Sequence, residues 1–198
     1  ISPEHALPAI ESVLADYQAE VERLVADPTA RTFARLMAPL ERFEEKLGRV
    51  FAPVSHLHGV QDSPALRTAY AAALDRITEH GSALGQNRDL YDAVRQVRES
   101  ADFASLDRAQ QTLVEDSLRG FRLAGVALEE PARSRFRDIQ MELSKAQTEF
   151  EEAVLDATDA WTRPVTAAEL AGLPDSARAM LAHAAKDKRV DGWLATLK

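Results

Sequence analysis

Cysteine is absent from all 198 residues, which excludes disulfides and thiolate-bound metal and favours the cytoplasm. No run of about 18 apolar residues occurs, so no membrane-spanning helix is expected, and the N-terminus lacks a signal-peptide pattern. Basic charge is in the minority: 24 Lys and Arg face 32 Asp and Glu, for a net charge of −8. A surface that tracks phosphates needs clustered Lys and Arg. Here 19 Arg and 5 Lys are scattered among acids at helical spacing, so nucleic acid is not an expected partner. Nucleophile and nucleotide motifs are missing too: there is no GxSxG, no phosphate loop and no GxGxxG. What remains is an ordinary folded composition, 45% hydrophobic and 28% charged, long enough to bury a real core.

The longest organised stretch is Glu129 to Asp159. Ala132, Phe136, Ile139, Leu143, Ala146, Phe150, Ala153 and Ala157 alternate in steps of four and three, which predicts one unbroken helix of roughly 40 Å. Pro131 suits its first turn, with Glu129 and Glu130 at the positive end of the dipole. A rod with one apolar stripe must be covered by other helices, so it is expected to be central. Before it, Ser2-Pro3 starts a helix that Pro8 restarts, with Ile10, Leu14, Tyr17, Val21 and Leu24 as its stripe. A second helix after Thr29 buries Phe33, Leu36, Leu40, Phe43, Leu47 and Val50, kinks at Pro39 and ends at a joint marked by Ala52-Pro53. Asp62-Ser63-Pro64 starts a third helix, which Gly81 closes. Asn87 caps a fourth bearing Leu90, Val94 and Val97. Ser105 opens a fifth, with Leu106, Ala109, Leu113, Ser117, Phe121 and Ala124 inward and Gly125 at its end.

After Asp159 the pattern changes. Trp161–Thr166 and Gly192–Leu197 read as two short strands around a helix from Pro174 to Lys188, with Trp193, Ala195 and Leu197 facing it. The fold class is therefore mainly α: an antiparallel helical bundle over 1–159 with one long central helix, plus a two-stranded appendage over 160–198. The sequence opens on Ile1 and stops inside its second strand, so the chain reads as a piece of a longer protein.

Five histidines could carry chemistry. His5, His56, His58, His80 and His183 are followed by Ala, Leu, Gly, Gly and Ala, so HExxH is absent; HxxEH also fails, because Arg76 stands where Glu79-His80 would need its first His. On a helix His56 and His58 point about 200° apart; on a strand they share a face, with Asp62 the nearest carboxylate. Glu44/Glu45 and Glu151/Glu152 read as solvated faces. Trp161 and Trp193 read as packing at the helix–sheet junction. No residue is assigned as catalytic, cofactor-binding or metal-binding.

Function enters through a resemblance. PEHALPAIE (Pro3–Glu11), FAPVSHLHGV (Phe51–Val60), SPALRTAY (Ser63–Tyr70), FRLAGVAL (Phe121–Leu128), VLDATDAWT (Val154–Thr162), ELAGLPDSA (Glu169–Ala177) and GWLATL (Gly192–Leu197) follow one another in order. Together they resemble the N-terminal part of the thimet oligopeptidase family of zinc peptidases, and within it the bacterial branch. The resemblance implies a cytoplasmic protein whose catalytic region lies C-terminal to this chain and carries an HExxH zinc site absent here. The chain would then be scaffold: one wall of a channel that admits short peptides. Its partners would be that catalytic region and the peptides, with zinc held elsewhere in the parent protein. The alternative is a free-standing helical interaction module without enzymatic activity.

Overall fold

The structure, a computed structural model, describes residues 2–61 and 63–197. Asp62, assigned above to a helix start and as a neighbour of the histidine pair, lies outside the described residues. The chain is mainly α, with seven α-helices and a two-stranded antiparallel sheet among the described residues. Its contacts divide it into two compact units, Ile1–Ala146 and Gln147–Lys198.

In the first unit a 3₁₀ turn, Pro3–His5, leads into α1 (Ala6–Ala26). Pro8 does not restart the helix. It sits in the first turn of α1, where its missing N–H has no intrahelical acceptor to lose. The expected stripe is buried throughout: Ile10, Leu14, Tyr17, Val21 and Leu24.

The second helix differs from expectation at both prolines. A π turn, Phe33–Met37, precedes α2 (Ala38–Val60), and the Ala38 N–H bonds to the Phe33 carbonyl five residues back. Pro39 cannot donate to Arg35, so the chain widens the turn just ahead of it instead of kinking within the helix. No joint forms at Ala52-Pro53; α2 runs through Pro53 to Val60. The carbonyl that Pro53 leaves without a donor belongs to Arg49, an exposed residue within reach of water. Burial of Val54 and His58 in the following turns holds the helix together.

Helix α3 (Pro64–Gly85) starts as expected, with the Ser63 hydroxyl accepting from the Leu66 N–H at 3.3 Å. It continues past Gly81 because Leu84 packs against the core in the last turn. Gly85 is the position that needs glycine: a Cβ there would stand 2.6 Å from the Ala124 Cβ. Asn87 caps α4 (Arg88–Glu99), which buries Leu90, Val94 and Val97. A 3₁₀ turn, Ala101–Ser105, delays α5 (Arg108–Leu123) until Asp107 and Gln110 form a reciprocal capping box. The inward face is correspondingly rotated. Val114 and Leu118 are buried, Leu113 and Phe121 flank them, and Ala109 is exposed. Gly125, at φ +82°, follows the helix as expected.

The largest core cluster joins Tyr17, Val21 and Leu24 of α1 to Leu36, Leu90, Val94 and Val114. Two smaller clusters continue along α1: one around Ile10, Val13, Leu47 and Ala73, the other around Ala6, Val54, Leu66 and Tyr70.

Helix α6 (Ala132–Ala160) is unbroken and the longest element, as expected. Its stripe is not covered, however. Phe136 is half-buried, but Ile139 is 43% exposed, Leu143 50% and Phe150 70%, and Ser144 is the buried residue of the helix. Ser144 lies 3.1 Å, hydroxyl to hydroxyl, from Thr78 of α3. A small polar residue allows a close approach that the bulky stripe would prevent, so here the stripe faces outward.

The second unit holds the C-terminal half of α6, β1 (Thr162–Val165), α7 (Asp175–Asp187) and β2 (Trp193–Thr196). The strands pair antiparallel, Thr162 opposite Thr196 and Val165 opposite Trp193, as the sequence predicts. The facing residue does not match. Leu194, 3% exposed, is the buried member of β2, with Trp193 half-buried. Because strand side chains alternate, a shift of one residue reverses the whole face. Trp161, expected at the helix–sheet junction, is 43% exposed.

Candidate functional site

The histidines separate rather than gather. Continuation of α2 through Pro53 puts His56 and His58 on helix, about 200° apart, with His56 exposed and His58 buried. The His58 ring stacks on Tyr70 at 4.1 Å and 9°, and Tyr70 also stacks on Phe51 at 5.6 Å. His58 is thus a packing residue in the third core cluster. His183 faces Asp187 one turn away at 3.3 Å. Among the described residues no three His, Asp or Glu side chains are placed to hold a metal ion, so this donor set does not fit a zinc site.

The polar constellation the structure does assemble went unnoticed in the sequence. The Tyr17 hydroxyl donates to Glu44 Oε1 at 2.9 Å, its ring lies against Phe43 at 5.2 Å, and the His80 ring is 5.0 Å away. Burial, then the Glu44 charge, pushes the Tyr17 phenol well up. Glu41 is pushed up by burial and by Glu44, and His80 is pushed down by burial against the opposing pull of Glu44. Glu45 pairs instead with Arg49 on the outer face. Glu44 and Glu45 are both exposed, as expected of a solvated face, and have separate partners. The available signal was Tyr17 itself, a phenol in an otherwise aliphatic stripe, since a buried hydroxyl must find an acceptor. This arrangement can hold charge. It contains no nucleophile with a general base behind it.

Within the second unit, Leu173, Ala177, Met180, Leu181 and Leu194 line a groove of about 600 Å³. Glu169 is the strongly held carboxylate of that unit. It accepts from the Thr166 N–H at 2.8 Å and from Arg163 at 2.7 Å, and these bonds lower its acid to about 2.

Comparison with known proteins gives a consistent result. Residues 10–133 match the family model described as the neurolysin/thimet oligopeptidase N-terminal domain. The chain is similar to oligopeptidase A of Escherichia coli K12, 41% identical over 198 residues, which is all of this chain and 29% of that protein. It is 36% identical over 191 residues to the probable cytosolic oligopeptidase A of Arabidopsis thaliana, covering 95% of this chain and 27% of that protein. A more distant similarity, 27% over 202 residues, is to a dipeptidyl carboxypeptidase of Escherichia coli K12. The chain therefore spans less than a third of the length of these relatives. No helix among the described residues is long and apolar enough to cross a membrane.

Proposed function

Because the chain belongs to the family of neurolysin/thimet oligopeptidase N-terminal domains, we propose that it is the non-catalytic channel wall of a cytoplasmic, zinc-dependent oligopeptidase that hydrolyses short peptides. One observation carries the reading: similarity to the bacterial oligopeptidase covers the whole chain but only 29% of that relative. Chemistry would reside in the remainder of the parent protein, and so would zinc, whose fourth position must stay open for water. In this reading residues 1–159 are scaffold and residues 160–198 lead into the catalytic region. A helical wall contributes by exclusion, since a narrow cleft admits an extended peptide and rejects a folded domain. The uncovered α6 stripe supports a packing partner, and the parent's catalytic region is that partner.

Metal analysis and a quenched-fluorescent peptide assay test the proposal. The 198-residue chain should bind no stoichiometric zinc and cleave nothing. The parent protein should do both and lose activity to a chelator. Chelator-sensitive turnover by the 198-residue chain would overturn the assignment.

A further inference from the structure

A cleft of about 350 Å³ opens in the first unit where α1 to α5 converge. That is the lower end of the range for small-ligand pockets and leaves room for about one amino-acid residue. Leu84, Leu90, Val94 and Phe121 are among its walls. Gly120 faces open space, with nothing within 4 Å of where a Cβ would stand. The distribution of polarity is uneven. Leu84 and Phe121 are half-buried and give the cleft an apolar wall, whereas Glu41 and Glu44, the acidic members of the lining, are exposed.

These two acids differ from several of their neighbours on the surface. Glu20 pairs with Arg23, Asp92 with Arg95 and Asp116 with Arg119. Among the described residues neither Glu41 nor Glu44 has a cationic side chain within 4 Å. Tyr17 occupies one oxygen of Glu44 and leaves the other open. Two carboxylates one helical turn apart above an apolar cavity favour a cation at the mouth and an apolar group inside.

We propose that this cleft binds the amino-terminal residue of a peptide, its ammonium held by Glu41 and Glu44 and its large apolar side chain seated against Leu84 and Phe121. A lysine side chain has the opposite polarity, because its charge lies at the tip and would be driven against the apolar wall. A neutral apolar guest leaves the carboxylates unpaired, and an anion is repelled. The site does not depend on the oligopeptidase reading, since it needs only the first unit.

Leucinamide titrated into the isotope-labelled 198-residue chain, followed by amide NMR shifts, tests the proposal. Saturable shifts should cluster at Glu41, Glu44, Gly81, Gly120 and Phe121. N-acetyl-leucinamide, which keeps the body without the charge, and glycinamide, which keeps the charge without the body, should each bind roughly tenfold more weakly or worse. The double substitution Glu41→Gln/Glu44→Gln should weaken leucinamide by a similar factor. Gly120→Leu should block it by filling the cleft. Should Gly120→Leu fail to fold, the glutamine pair, both at exposed positions, still decides. Equal binding of the acetylated probe, or shifts spread over the acidic surface that survive the glutamine substitutions, would overturn the proposal.

Discussion

Helices α1 and α6 carry the same kind of sequence signal and meet opposite fates. Each spaces its apolar residues three and four apart, with mostly charged and polar residues between them. Seven residues of α1 are buried, from Ala6 to Leu24, whereas α6, eight residues longer, buries Ser144. The difference teaches what a stripe means. Periodicity identifies the face that would gain from burial. It does not identify the partner, and a helix can turn a serine to its neighbour while the stripe waits for something else.

Paired truncations should test that comparison most severely. Leu24→Ala, at a fully buried position, should destabilise the chain by about 3 kcal/mol in urea unfolding. Phe150→Ala on α6 should change stability by less than about 0.5 kcal/mol. Equal losses would mean the α6 stripe is covered after all. Glycines sharpen the contrast at the backbone level. Gly85→Val drives its side chain into Ala124 and should cost about 1–3 kcal/mol. Gly48→Ala, on α2 with nothing within 4 Å, should instead stabilise by about 0.5–1 kcal/mol through helix propensity. Both are read from the same unfolding curves.

The smallest expected effect belongs to the second unit, at an exposed polar contact. Glu169 has its acid lowered from 4.5 to about 2 in the folded chain. A depressed carboxylate contributes stability that is complete above its unfolded value and lost as pH falls. The loss should therefore run from near pH 4.5 down through about pH 2. Glu169→Gln should flatten that part of the melting-temperature profile and leave the profile near pH 7 parallel to that of the unsubstituted chain. An unchanged acid limb would show that the Thr166 and Arg163 bonds do not persist in solution.

Much of the architecture was legible because caps and stripes act locally. Ser63 and Asn87 start helices where their side chains can accept a backbone N–H, and the two strands pair antiparallel as expected. Two of the misreadings share a cause. Pro53 and Gly81 carry local signals to stop, and packing of Val54 and Leu84 outweighs each of them, whereas Pro8 falls in the first turn, where a proline costs nothing. Parity in β2 was invisible for a different reason: an alternating segment does not say which of its two faces turns inward. The divergence of His56 and His58 required only knowing that they lie on a helix. The Tyr17–Glu44 contact joins residues 27 apart, beyond any periodic pattern, and only the buried phenol hinted at it. Function was legible through the ordered family segments, because nothing in the titratable residues names a reaction.

The π turn at Phe33–Met37 gives the first unit a place to change length. Closing a ring five residues back holds one residue more than an α-helical turn needs. Loss of the exposed Ala34 would let the turn close four back, with Leu36 and Met37 still seated and only Phe33 swung by about 100°. A single loss within α1 would swing half of its buried residues by the same angle. A one-residue deletion is therefore tolerable at this seam and ruinous along the helix beside it, which makes it the natural point for the fold to shorten its chain.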